Sequence, residues 1–376
     1  MKVAIRADAS IQIGTGHVMR CLTLADELRR SGAVVIFICY AHEGNLCDLI
    51  EQRGFRVSRL SEHGAVDRRY QPESAALQRD GDEINRRNES SVIEADWEED
   101  AAQTRAAIGK VGRVDWVIVD SYALDARWEA ELRSMARRIM AIDDLADRPH
   151  DCDLLLDQNF VEHYETRYDP VVGVGARLLL GPRYALLRRE FLDTLDHPRR
   201  VWSGGPLRLF VFFGGTDPTS ETMKALRALE EVKVPIQADV VVGAGNRQRS
   251  DIASRCADRG WGFHCQIENI AELMSLADVG LCASGATTWE RCVLGLPSIV
   301  VSVAENQIGV ARAVARAGAQ TDLGWHEEVD ESRFAEAIER MVSVPSLLVE
   351  MSAAGRALMG GRDFRGAAGV VTAMLS

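Results

Sequence analysis

The chain has 376 residues, 47% hydrophobic and 27% charged, an ordinary globular composition whose length exceeds one core and sets an expectation of two domains. Its 44 basic and 56 acidic residues leave a net charge of −12, which excludes general affinity for nucleic acid or anionic membranes; any phosphate site must be local. No apolar run approaches the roughly 18 residues of a spanning helix, so neither membrane insertion nor a nucleic-acid partner is expected. The eight cysteines form no C-x-x-C pair and several sit in apolar runs, where they serve as small hydrophobes. Met1 and Lys2 lead straight into a strand without a signal-peptide layout. Together these features set the expectation of a reducing, cytoplasmic setting.

Residues 2–31, KVAIRADASIQIGTGHVMRCLTLADELRRS, read as a buried strand, a glycine loop and an amphipathic helix. Val3, Ala4 and Ile5 begin the apolar run, and Val18, Cys21, Leu22, Ala25 and Leu28 recur at helical spacing. A helix start presents N–H groups without intrahelical partners and the positive end of the macrodipole, so Gly14, Thr15 and Gly16 suit an anion such as a phosphate. His17 sits beside that site, where the positive helix end disfavours imidazolium and leaves a ring able to accept a proton. A plain tight turn with His17 as a capping residue fits the same spacing. A dinucleotide fingerprint does not, because Met19 stands where G-x-G-x-x-G requires its last glycine.

Strand and helix then alternate. Val34–Tyr40 is a dense β-branched and aromatic run, a helical pattern follows through Leu46, Leu49 and Ile50, and residues 55–57 are a candidate third strand. From Ser61 to about Asn88 the sequence turns strongly polar and reads as an inserted surface loop, or alternatively a lid. Order returns with a helix through Ala101, Thr104, Ala107 and Ile108. The strand Trp116–Val119 ends in Asp120, Ser121 and Tyr122; ligands of open α/β sheets gather at such carboxyl ends, so Asp120 and Tyr122 are candidate site residues, with helix capping and packing as their structural alternatives. The strands 139–142 and 154–156 end in acids likewise. The segment DTLDHPRRVWSGGP (193–206) reads as the connection between halves, giving domains 1–200 and 201–376.

The second half restarts the pattern. Strand 207–213 ends in Gly214, Gly215 and Thr216, ahead of a helix from about Ser220. Strand 279–282 ends in Ser284, Gly285, Ala286 and Thr287, with Glu290 in the first turn of the next helix. Strand 298–303 ends near Asn306 and Gln307. The two glycine turns offer backbone N–H groups to a diphosphate. Glu290 is placed either to accept ribose hydroxyls, as acids do in Rossmann sites, or simply to favour the helix dipole. The expected fold class is therefore α/β, with two Rossmann-like domains facing across a cleft.

The segments RADASIQIGTGHVMRCLTLADEL, IVDSYALD, IDDLADRPHDCDLLLDQN, GPRYALLRREF, FFGGTDP and ASGATTWERCVLGLPSIVV resemble the UDP-2,4-diacetamido-2,4,6-trideoxy-β-L-altropyranose hydrolases of pseudaminic acid biosynthesis, in order and over nearly the whole chain. The second half is also similar to the peptidoglycan GlcNAc transferase. The resemblance implies a GT-B fold, UDP held by the second domain and His17 as the base that activates water. No cofactor is expected, and no metal either, since the eight histidines include no H-x-x-x-H or H-E-x-x-H pair. The resemblance further implies substrate contacts at Gly14, Gly16, Tyr122, Gly214, Gly215, Ser284 to Thr287 and Glu290, and matched positions at Arg20, Tyr184, Arg188, Asn306 and Gln307. The long polar excursion departs from the family pattern. Transfer of the sugar to an acceptor, or binding of a sugar nucleotide without turnover, remain the alternative activities, and the sequence leaves the oligomeric state open.

Overall fold

The computed structural model describes residues 1–10, 13–61, 94–193, 202–267, 269–285 and 287–376. The polar excursion from residue 62 onward, the connection at 194–201 and Ala286 lie outside the described residues. The chain forms two compact units: residues 1–158, 164–186 and 365–376 make the first, and 159–163 and 187–364 the second.

The first unit contains β1 (Lys2–Ala7), α1 (Gly16–Arg30), β2 (Val34–Tyr40), α2 (Cys47–Gln52), β3 (Arg56–Leu60), α3 (Glu94–Gly109), β4 (Val114–Asp120), α4 (Ala126–Leu132), β5 (Ala136–Ile142), β6 (Leu154–Asp157) and β7 (Arg177–Leu180). Among the described residues its sheet has seven strands in the order β3-β2-β1-β4-β5-β6-β7, all parallel. A parallel sheet is covered on both faces, which explains why β1, β2 and β4 are almost continuously buried rather than alternating. On α1, Val18, Cys21, Leu22, Leu24, Ala25 and Leu28 face this core; truncating one of these leucines to alanine costs about 2–5 kcal/mol. The helix stops where Gly32 takes φ +80° and donates its N–H to the Arg29 carbonyl, a backbone conformation open to glycine at little cost.

The second unit contains α5 (Arg189–Leu192), β8 (Leu207–Phe212), α6 (Glu221–Glu231), β9 (Ile236–Val242), α7 (Arg249–Arg259), β10 (Gly262–Cys265), α8 (Ile270–Leu276), β11 (Val279–Ala283), α9 (Thr287–Leu294), β12 (Ser298–Ser302), α10 (Glu305–Arg316), β13 (Thr321–Trp325), α11 (Glu331–Ser343) and α12 (Pro345–Leu358). Its parallel sheet has the order β10-β9-β8-β11-β12-β13 among the described residues. Both units therefore have the alternating α/β build expected for Rossmann-like domains.

The division of the chain differs from a single cut near residue 200. The last helix, α13 (Gly366–Leu375), belongs to the first unit, where Val370, Val371 and Met374 join the core that α1 buries. Conversely, the chain from Leu187 to Phe364 belongs to the second unit. Strand β7 adds to the elements read from sequence: four residues, RLLL, pairing with β6 alone among the described residues, carry too little periodicity to stand out. No helix among the described residues is long and apolar enough to cross a membrane.

Candidate functional site

In the first unit, β1 pairs with β2 on one side and β4 on the other, so the strand order reverses at the carboxyl ends of β1 and β4. Crevices at such switch points are where open α/β sheets bind ligands. The chain leaves β1, closes a small loop with paired backbone hydrogen bonds between Ser10 and Gly14 (2.9 and 3.3 Å), and enters α1. Gly14 is required there because its φ is +81°; Gly16 opens α1, and open space surrounds the position a Cβ would take. Thr15 is the helix cap but makes no side-chain capping bond.

His17 lies in the first turn of α1 with 9% of its surface exposed. Its Nδ1 is 4.0 Å from Asp120 Oδ1, a separation longer than a hydrogen bond. Tyr122 packs edge-on against the imidazole, ring centroids 4.6 Å apart at 88°. Asp120 reaches the expected crevice, yet both its oxygens are held by Arg20: Nε donates to Oδ2 and Nη2 to Oδ1, each at 2.6 Å. Arg20 Nη1 then donates to both oxygens of Asp144 (2.9 and 2.8 Å), and Tyr122 donates its hydroxyl to Asp144 Oδ2 at 2.7 Å. Burial disfavours the Asp120 anion, but the charges of Arg20 and His17 and the hydrogen bonds from Arg20 and Cys21 outweigh it and hold the carboxyl below its usual range. Burial and then Asp144 raise the Tyr122 phenol, so it stays a donor. One small pocket of about 20 Å³ is lined by His17, Asp120, Tyr122, Arg6, Asp8 and Ile13 among others, room for about one water molecule.

Two side-chain groups beside this site have partners that a reading of the sequence does not find. Arg6 bridges Asp8 (2.7 Å) and Asp100 (2.6 Å); a charged residue inside the apolar run KVAIRA is the available signal for a buried ion pair. Asp143 accepts from Arg148 (2.8 Å), Tyr168 (3.0 Å) and the Ala146 N–H (2.8 Å). Burial opposes its charge, but Arg148, His150 and these bonds pull its pKa down to about 2. In the Asp143-Asp144 doublet, the first acid thus ties down the loop after β5 and the second holds Arg20.

In the second unit the strand order reverses between β8 and β11. Gly214, with φ +100°, turns the chain after β8, and Gly215 meets the turn after β9, where Gly243 donates its N–H to the Gly215 carbonyl at 2.9 Å. Helix α6 starts at Glu221, and the Asp217 carboxylate accepts the N–H groups of Glu221 (3.0 Å) and Thr222 (2.8 Å). These first-turn donors of α6 are therefore engaged by Asp217, so the N–H groups that the Gly214–Thr216 turn can offer are its own rather than those of a helix start. The D-P-T-S-E spacing, an acid and then a glutamate ahead of a helix, is the sequence signal for this cap.

After β11 come Ser284 and Gly285, both described, then α9 from Thr287. Ser284 is buried, and its Oγ has no hydrogen-bond partner among the described residues. Glu290 lies in the first turn of α9, largely buried, and accepts from Arg188 Nη2 at 3.2 Å. After β12, Asn306 and Gln307 fall in the first turn of α10; Gln307 Oε1 accepts the Val303 N–H at 3.1 Å. The structure thus gathers Gly14, Thr15, Gly16, His17, Arg20, Asp120 and Tyr122 at the switch point of the first unit. Gly214, Gly215, Thr216, Ser284, Gly285, Thr287, Glu290, Asn306 and Gln307 lie at the strand ends of the second. Tyr184 instead packs beside the first unit's core.

The chain is 22% identical, over 80% of its length, to an uncharacterized protein of Methanocaldococcus jannaschii. It is 27% identical, over 50% of its length, to the spore coat polysaccharide biosynthesis protein SpsG of Bacillus subtilis. The match spans 55% of the first relative and 56% of the second, so the chain covers about half the length of each. The UDP-2,4-diacetamido-2,4,6-trideoxy-β-L-altropyranose hydrolase of Campylobacter jejuni is 22% identical over 86% of this chain and 100% of that protein, in keeping with the resemblance its motifs carry. Among solved structures, MurG of Acinetobacter baumannii superposes with a TM-score of 0.64 at 15% identity, covering 100% of this chain and 99% of that one. The fold is accordingly α/β with two Rossmann-like units, of the GT-B type, and residues 210–363 match the C-terminal domain of glycosyltransferase family 28.

Proposed function

We propose that this protein is an enzyme acting on nucleotide sugars, and that it hydrolyses UDP-2,4-diacetamido-2,4,6-trideoxy-β-L-altropyranose to free sugar and UDP, as in pseudaminic acid biosynthesis. The observation that carries the reading is His17 in the first turn of α1, beside a pocket with room for about one water molecule. The similarity to the whole length of the Campylobacter jejuni hydrolase supports the substrate class.

In this reading the second unit binds UDP: glycine turns after β8 and β11 supply amide donors to the diphosphate, and Glu290 accepts ribose hydroxyls. The first unit supplies the base. His17 takes a proton from water as the water oxygen bonds to the anomeric carbon. The bond from that carbon to the diphosphate oxygen breaks, and its electron pair leaves with UDP. Attack from the face opposite the leaving group inverts the anomeric configuration. Amide donors and the α9 dipole stabilise the departing anion, so the step needs neither a metal nor a separate acid. Arg20 and Asp144 hold Asp120 and Tyr122 beside the imidazole, and in this reading they orient it.

Loss of a general base costs about 10²- to 10⁴-fold. His17→Ala is therefore expected to bind UDP normally and to turn over slowly, measured as UDP release with no acceptor present; near-normal turnover refutes the assignment. Strict dependence on an acceptor would instead identify a glycosyltransferase.

A further inference from the structure

Arg188 precedes α5, and its guanidinium bridges two carboxylates. Nη1 meets Glu190 at 2.7 Å and Nη2 meets Glu290 Oε1 at 3.2 Å. The guanidinium also lies over the Phe191 ring, 5.1 Å from its centroid, which limits where it can swing. At Glu290 the bond from Arg188 falls on Oε1 alone among the described residues. One oxygen is thus tethered to Arg188. We propose that Arg188 is a positioning residue for nucleotide binding, holding the Glu290 carboxylate in the orientation that receives the ribose hydroxyls of a nucleoside diphosphate. This rests on the UDP-binding reading of the second unit.

The charge balance around Glu290 supports that role. Burial raises its pKa, and the charge and hydrogen bond of Arg188 counter the rise; Glu190 adds to it and Arg291 opposes it. On the other helices packed on α9, Glu272 of α8 accepts from Asn269 Nδ2 (3.1 Å) and Arg356 of α12 donates to the Leu294 carbonyl (3.2 Å). Burial wins and the carboxyl stays raised, with Arg188 the cation that also hydrogen-bonds it.

The test measures binding of UDP and of its 2′,3′-dideoxy analogue to the full chain by calorimetry. Arg188→Met is expected to weaken UDP about tenfold, the scale of one charge-assisted hydrogen bond, while leaving the dideoxy analogue unchanged; Arg188→Lys restores most of the loss. In a Glu290→Gln background, Arg188→Met should add nothing. The deficit of Arg188→Met relative to the wild type should also widen as pH drops from about 8 to about 6, as an unpaired buried carboxyl takes up a proton. Equal weakening of both ligands, or no weakening, overturns the proposal while leaving UDP binding intact. Failure of the wild type to bind UDP overturns the parent reading and this inference together.

Discussion

Gly243→Ala tests the glycine turns of the second unit. A Cβ at position 243 would fall 2.5 Å from the Gly215 carbonyl oxygen and 2.7 Å from its Cα. Those are backbone atoms, so no rotamer change relieves the clash. The turns after β8 and β9 must part by roughly 1 Å to reach ordinary contact, and the 2.9 Å bond from the Gly243 N–H to the Gly215 carbonyl is then lost. Overpacking costs about 1–3 kcal/mol and the bond about 1 kcal/mol, so stability should fall by about 2–4 kcal/mol. If the Gly214–Thr216 turn contacts the diphosphate, a displacement of this size should weaken UDP about 10- to 100-fold. Calorimetric titration with UDP, alongside denaturant unfolding, separates the two effects. Reduced stability with unchanged UDP affinity would refute a diphosphate contact at this turn.

Asp120→Asn removes the charge 4.0 Å from His17 Nδ1 while leaving Arg20 bound to Asp144. Opposite charges at that distance interact by up to about 4 kcal/mol at an effective dielectric of about 20, and the adjacent Arg20 offsets part of this. We expect kcat to fall about 10- to 100-fold with UDP affinity unchanged; a loss confined to KM would contradict an orienting role. Asp143, whose pKa is pulled down to about 2, contributes about 2–3 kcal/mol of stability above about pH 4 that is lost as pH falls toward about 2. Asp143→Asn should flatten that acid limb in unfolding curves recorded against pH, and an unchanged limb would show that the carboxylate does not contribute.

The alternation of apolar runs makes the α/β class legible, because strands buried on both faces of a parallel sheet must be nearly continuous in apolar residues, as β2 is. Strand ends with Gly14, His17, Asp120, Gly214 and Ser284 are legible as candidate positions for a related reason: topology sends strand termini to the switch point. Partners distant in sequence are not. Nothing near Asp120 announces Arg20, 100 residues away, as the group that takes both its oxygens. The return of α13 to the first core depends on packing against α1 that no local pattern encodes. The capping role of Asp217 is readable in principle, but the glycines beside it present the stronger local signal for an anion-binding helix start.

Whether His17 directs water to the anomeric carbon is decided by turnover of the UDP-sugar in ¹⁸O-labelled water, with mass spectrometry of both products and NMR of the first-formed anomer. Label on the sugar, none on UDP and an inverted anomer are the expected result; label on the β-phosphate of UDP would contradict it.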